Sequence, residues 1–375
     1  MTNTKYKDIS FFDLKRQYRD IELEICTKIK SILESQMFIL GNEVKNIENN
    51  IAEYCKSKYA IGVSSGSDAL LAVLMALKIG AGDEVITTPF TFFATAGAIT
   101  RLGAIPVFSD SMLKDFNIDP DNITRLITKK TKAIIPVHLY GQLCEIEKII
   151  DIGNKYAIPV IEDAAQAIGA SYKNKRAGTF GLAGCLSFFP TKNLGCFGDG
   201  GMVITDNEEL YKKLKQIRIH GMGEKYFYDM IGGNFRLDEL QAGILSIKLK
   251  MLDKMVEARR RNAERYKNNL ASNKSIILPV EKEGYFHVFN QFVIRISNRD
   301  KIQEMMKSRG IGTEKYYPLP LHLQKCFKYL EYKEGDFPVS EKLAREVLAL
   351  PIYPELKISE IDYICEKLIE CSNNI

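Results

Sequence analysis

Between residues 59 and 161 short apolar runs alternate with helical patterns, and this alternation limits the possible folds more than any other feature of the chain. Tyr59–Val63, Glu84–Thr88, Ala104–Phe108, Lys132–Val137 and Ile158–Ile161 read as buried strands. Ser67–Lys78, Thr91–Arg101, Asp121–Ile127 and Glu145–Tyr156 read as the helices between them. Strands covered on both faces read as continuous apolar runs, so this spacing predicts βαβ units and a mostly parallel sheet of an α/β protein.

Two further strands, Leu182–Phe189 and Met202–Thr205, flank a loop that holds Lys192. Residues 237 to 270 contain no proline and one glycine, which predicts one long helix or a kinked pair. After it come a strand at Asn290–Ile296 and helices at Lys301–Ser308, Ser340–Leu348 and Ser359–Glu370. Two helices, Asp13–Ser35 and Glu43–Lys56, precede the first strand. With 375 residues the chain accommodates two domains. The boundary is expected near residue 250, giving a larger domain over 1–250 with an N-terminal helical arm and a smaller α+β domain over 251–375.

The bulk numbers exclude several classes of protein. A net charge of +5 over this length gives no general pull toward nucleic acid, and the run Arg259-Arg260-Arg261 lacks the flanking aromatics of a binding face. No apolar run approaches the roughly 20 residues of a membrane span, and no secretory signal is evident. The eight cysteines form no C-x-x-C pair and the four histidines make no zinc spacing, which fits reduced thiols in a cytoplasmic protein without a structural metal. Cys196 falls four residues after Lys192 and reads as a small packing residue.

Chemistry concentrates in a few segments. Val63-Ser64-Ser65-Gly66-Ser67-Asp68 follows a strand and opens a helix, so its N–H groups and hydroxyls form either a phosphate cradle or an ordinary serine N-cap. An aromatic of Phe90-Thr91-Phe92-Phe93, beyond the strand at Glu84, can stack on a planar ring, or the three phenylalanines simply fill the core. Asp163 ends an apolar run, so its carboxylate belongs at the carboxyl edge of the sheet, where open α/β folds bind ligands. Alone it could equally cap a helix. Lys192 lies in Ser187-Phe188-Phe189-Pro190-Thr191-Lys192-Asn193-Leu194-Gly195 and precedes Gly198-Asp199-Gly200-Gly201. A single lysine in a loop is ordinarily a solvated one. A lysine in an ordered loop and a buried acid nevertheless match the needs of pyridoxal 5′-phosphate, a Schiff base and a carboxylate for the pyridinium nitrogen.

These segments together resemble the DegT/StrS-type sugar aminotransferases. The likeness also covers Phe11-Phe12-Asp13-Leu14, Ile39-Leu40-Gly41, Gly82-Asp83-Glu84-Val85, Pro136-Val137-His138-Leu139-Tyr140-Gly141, Glu162-Asp163-Ala164-Ala165-Gln166 and Gly233-Asn234-Phe235-Arg236. The resemblance implies a fold-type-I, aspartate aminotransferase-like enzyme. Lys192 would carry the cofactor and shuttle a proton, Asp163 would pair with the ring nitrogen, Gln166 would bond the ring hydroxyl and Phe92 would stack. Gly66, Ser67 and Ser187 would hold the phosphate, with Asn234 arriving from the second subunit of a homodimer. Tyr317-Pro318-Leu319-Pro320-Leu321-His322 resembles the C-terminal loop of members that aminate C3 of a dTDP-linked 3-keto-6-deoxyhexose, which places Tyr317 and His322 near the sugar. Tyr316 stands where many relatives have histidine, a departure that bears on how the sugar or nucleotide is held. The implied reaction takes the amino group from L-glutamate. Two alternatives are amination at C4 of a UDP-linked sugar and a non-catalytic, cofactor-binding regulatory protein.

Overall fold

A computed structural model describes residues 8–374. Its centre is a sheet in two hydrogen-bonded parts. Tyr59–Val63, Gly201–Thr205, Ala183–Ser187 and Ile161–Asp163 lie side by side in that order, and Ile105–Phe108, Glu84–Thr87 and Thr131–Ile134 form a second group. Parallel bridges from Ile134 to Val160 and from Val137 to Asp163 join the groups edge to edge. Only Gly201–Thr205 runs antiparallel to its neighbours in this sheet. The mostly parallel α/β sheet read from the sequence is the one observed.

Helices cover both faces. Gly66–Ala76 is apolar almost all the way round, with eight of its residues buried, as a helix embedded in a core must be. On the other face the helix Asn42–Cys55 contributes Val44, Ile47 and Ile51 to a cluster with Ile204, Leu186 and Ile134. The N-terminal pair, Leu14–Ser35 and Asn42–Cys55, matches the sequence reading to within two residues.

Several elements differ from expectation, and one open alternative is resolved. The helix Glu208–Ile217 was not anticipated; Asn207 caps it by accepting from the Leu210 N–H at 2.8 Å, and Leu210, Leu214 and Ile217 form its buried stripe. Residues 237–270 form the kinked pair rather than one rod: Glu239–Leu249 ends and Leu252–Leu270 begins without a glycine or proline at the break. The helix expected to reach Leu348 stops at Glu346, because Val347–Leu350 instead pairs antiparallel with Phe292–Ile296. The helix expected from Thr91 starts at Ala94, which leaves Thr91, Phe92 and Phe93 on the loop leading into it.

A second, three-stranded antiparallel sheet comprises Ile276–Ile277, Phe292–Ile296 and Val347–Leu350. Helix Leu252–Leu270 serves both regions. Leu252, Met255 and Val256 pack beneath the main sheet, and Ala263, Tyr266 and Leu270 pack with Ile294, Ile361 and Leu368.

Candidate active site

The carboxyl edge of the sheet gathers most of the residues singled out above. Ser65 caps the helix Gly66–Ala76: its Oγ accepts from the Asp68 N–H at 3.0 Å, and the Ser64 and Ser65 hydroxyls donate to Asp68 Oδ2 at 2.7 and 2.9 Å. The cap leaves the N–H groups of Gly66 and Ser67 in the first turn, where a helix offers no internal acceptor and its dipole favours an anion. Gly66 abuts Ser187. A Cβ on Gly66 would stand 2.7 Å from Ser187 Cβ, so only glycine fits there. Gly66, Ser67 and Ser187 are thus grouped around one helix terminus.

Asp163 is buried, with 5% of its surface exposed. Its Oδ2 accepts from Thr95 Oγ1 at 2.8 Å and its Oδ1 from the Ala165 N–H at 3.2 Å. Burial raises its pKa above the usual carboxylate value; the Thr95 bond, the Ala165 N–H and the charge of Lys192 act the other way. One hydrogen bond to each oxygen leaves lone pairs for a cationic N–H, which would repay the cost of burying the charge. Lys192 follows a tight turn in which its own N–H donates to Phe189 O at 2.8 Å. Burial lowers its amine to about 8, partly opposed by Asp163. An amine there is unprotonated far more often than in water and is the better nucleophile for it.

Gln166, Tyr317 and Phe92 line one wall. Gln166 Oε1 accepts from the Tyr140 N–H at 2.6 Å and Nε2 donates to Tyr317 Oη at 3.3 Å. The Tyr317 ring lies 6.2 Å from that of Phe92, tilted by 40°, and Phe92 keeps 57% of its surface exposed. Burial pushes the Tyr317 phenol well above its ordinary range. Tyr317 also senses the charge of Asp163, which ties this wall to the acid.

Two predicted residues stand apart. Asn234 sits exposed in a segment that runs beside the first strand, where it bridges Ile219, while Phe235 O accepts from the Ser64 N–H at 3.1 Å and Arg236 pairs with Val63. No hydrogen bond within the described residues joins Asn234 to Ser187 or Gly66. His322 is enclosed elsewhere. Its Nε2 lies 3.2 Å from Glu341 Oε1, its ring meets Phe337 edge-on at 4.7 Å, and burial lowers its pKa. Cys196 is buried and donates to Phe188 O at 2.9 Å; burial pushes its thiol up to about 11, as suits a packing residue.

Three contributors were not identified from sequence. Thr95 reaches Asp163 from one turn beyond Thr91, and its only sequence signal is the Thr91–Thr95 spacing on one face. Glu162 precedes Asp163 in the sequence, and nothing in that position signals a separate role. It turns away from the site and is fully satisfied by the N–H groups of Gly178, Phe180 and Gly181 and by His138 Nε2 at 2.8 Å. Because His138 Nδ1 accepts from the Cys144 N–H, the histidine proton belongs on Nε2, facing Glu162. Lys248, on the helix Glu239–Leu249, donates to the Gly195 carbonyl of the lysine loop.

This fold and this grouping of lysine, acid and helix terminus define a fold-type-I pyridoxal phosphate enzyme. A family model for the DegT/DnrJ/EryC1/StrS aminotransferases matches residues 19–369, and the chain belongs to that family. It is 50% identical over 365 residues to a "pleiotropic regulatory protein" of Geobacillus stearothermophilus, covering 97% of this chain and 98% of that one. It is 43% identical over 358 residues to a dTDP-3-amino-3,6-dideoxy-α-D-galactopyranose transaminase of Aneurinibacillus thermoaerophilus (96% and 98% covered). It is likewise 43% identical over 358 residues to a UDP-N-acetyl-3-dehydro-α-D-glucosamine 3-aminotransferase of Acidithiobacillus ferrooxidans (96% of each). The crystal structure of Streptomyces venezuelae DesV in complex with a ketimine intermediate superposes with a TM-score of 0.96 at 37% identity, covering 99% of this chain and 100% of that one.

The residues present fit pyridoxal phosphate: an anion-favouring helix terminus without a Cβ in the way, a buried acid with spare lone pairs and a depressed amine. When bound, the cofactor supplies an aldehyde carbon and an electron sink.

Proposed function

We propose that the protein transfers an amino group from L-glutamate to the C3 keto group of a dTDP-linked 3-keto-6-deoxyhexose. The observation that carries the transferase chemistry is Lys192, its amine lowered to about 8 by burial and sharing the field of Asp163 at the sheet edge. The choice of a C3 keto sugar rests on likeness to the Aneurinibacillus transaminase.

In this reading Asp163, steadied by Thr95, holds a pyridinium N–H and keeps the ring cationic. Gly66, Ser67 and Ser187 bind the phosphate through backbone N–H groups and hydroxyls. Phe92 offers its exposed ring to one face of the heterocycle. Gln166 has one amide hydrogen beyond the bond to Tyr317, available to a ring hydroxyl. The Lys192 amine, once free, takes a proton from the amino-donor carbon and returns one to the sugar carbon. Tyr317 contacts the hexose. Asn234, which finds no site partner among the described residues, serves the phosphate of a second copy, and the active unit is a cytoplasmic homodimer. The chain divides near residue 250 into a cofactor-binding part and a smaller part.

Incubating the purified protein with glutamate and each candidate keto sugar, followed by product mass, tests the proposal. The expected product is a dTDP-3-amino-3,6-dideoxyhexose together with 2-oxoglutarate. A UDP-linked 3-keto sugar is the second reading, favoured by the Acidithiobacillus relative. The name of the Geobacillus relative raises a regulatory reading. Loss of the cofactor's visible absorbance on adding glutamate excludes that reading, and a band unchanged by every donor supports it.

A further inference from the structure

The loop carrying Lys192 is held by the bond from Asn193 Nδ2 to the Val288 carbonyl at 3.1 Å and, from behind, by one helix. Gly195 packs so tightly on the carbonyls of Phe189 and Pro190 that a Cβ would lie 2.4 Å from Pro190 O, so the loop is a closed turn with little freedom of its own. Two side chains of Glu239–Leu249 then engage it. Lys248 Nζ donates to the Gly195 carbonyl, and Gln241 Oε1 accepts from the Phe197 N–H at 2.8 Å. Their spacing of seven residues is two helical turns, so both project from one face, about 10 Å apart along the axis.

Lys248 is the unusual member. Only 2% of its surface is exposed, no carboxylate is within ion-pair distance among the described residues, and its ammonium lies 5.5 Å from the Phe197 ring centroid. A leucine or methionine would fill such a space without the cost of burying an ammonium. What an apolar residue lacks is a donor for Gly195 O. From this we infer that Lys248 and Gln241 are positioning residues, a two-point clamp that fixes the 188–198 loop and with it the direction in which the Lys192 amine projects. This inference rests on Lys192 being the amine that takes up the cofactor. The clamp touches neither cofactor nor substrate and acts only through the loop.

The test separates reaction at Lys192 from binding at the pocket. Apoprotein is mixed with pyridoxal phosphate, and the rate at which label becomes fixed on Lys192 by borohydride is read by peptide mass. Affinity for pyridoxine 5′-phosphate, which has no aldehyde, reports the pocket alone. K248M is expected to slow fixation by about tenfold to 10²-fold, the penalty of a misdirected reactant, with pyridoxine phosphate affinity unchanged. K248R, which keeps a donor, recovers most of the rate. Q241L removes one neutral hydrogen bond and slows fixation about threefold. If K248M does not fold, Q241L decides, and a wild-type rate in it overturns the clamp. Parallel loss of pyridoxine phosphate binding in both variants also overturns it, since the helix would then support the whole pocket. Label absent from Lys192 in the wild-type protein sinks the lysine assignment and the clamp together, whereas wild-type rates in both variants sink the clamp alone.

Discussion

Gly66 and Ser187, far apart in sequence, meet across the sheet edge with no room for a methyl group between them. The contact fixes a helix terminus against a strand end. Gly66→Ala is expected to push Ser187 aside and weaken cofactor binding by about 1–3 kcal/mol, the usual cost of overpacking. Titrating apoprotein with pyridoxal phosphate measures it; unchanged affinity would place the phosphate elsewhere.

Asp163 and Lys192 are electrically linked, and the sign of that link is testable. Asp163 raises the Lys192 pKa while burial lowers it to about 8. Asp163→Asn removes the anion, so the midpoint for amine modification at Lys192 in the apoprotein should move below that of the wild type. Turnover should fall on the order of 10²-fold or more as the ring nitrogen loses its counter-charge. A midpoint that stays put or rises would contradict the arrangement.

The buried ammonium of Lys248 makes stability depend on pH in a defined direction. Its folded pKa is lowered to about 8 from 10.5, so between those values the unfolded chain binds more protons than the folded one. Stability contributed through this group therefore rises with pH across that window, with a slope of at most about 1.4 kcal/mol per pH unit. Lys248→Met lacks the slope. Denaturant unfolding of the two proteins at both ends of the window should show the wild type gaining on the variant as pH rises.

Glu162 is fully buried and receives three backbone N–H groups and His138. Glu162→Gln turns an amide NH₂ toward donors and removes the charge they solvate. A loss of about 3–5 kcal/mol is expected from the denaturant midpoint, the scale of a broken buried network. A loss below about 1 kcal/mol would mean the turn at residues 178–181 holds itself.

Tyr317 and His322 should part company under mutation. Tyr317→Phe keeps the ring and removes the hydroxyl that Gln166 contacts, so KM for the keto sugar should rise about tenfold, a lost polar contact. His322→Ala, in a closed pocket with Glu341, should leave KM unchanged and lower stability. Steady-state kinetics beside thermal unfolding distinguishes them; a matching KM rise in the histidine variant would bring His322 back to the sugar.

Much of the main sheet was legible because its strands, buried on both faces, read as unbroken apolar runs. Asp163 and Lys192 could be singled out for the same reason, since each lies just beyond such a run. What could not be read depends on partners distant in sequence. Val347–Leu350 is a strand only because Phe292–Ile296 lies beside it, and the break after Leu249 carries no local signal. Thr95 and Lys248 matter through bonds to Asp163 and Gly195, which no spacing reveals. Glu208–Ile217 is different: Asn207 followed by two acids and an i, i+4 leucine pair is a helix start visible in the sequence itself.

The one reversed strand, Gly201–Thr205, has an effect on geometry beyond its own pairing. Because it turns straight back beside Ala183–Ser187, the stretch between them leaves and re-enters the sheet at a single rim. Both anchorage points of Lys192 are therefore on the side where Asp163 and Gly66 already stand, with Gly201 lodged against the Ser65 carbonyl. Had that strand followed the direction of the rest, the chain would have had to cross to the far rim before continuing, and the nucleophile would hang from a long excursion tethered at opposite ends of the protein.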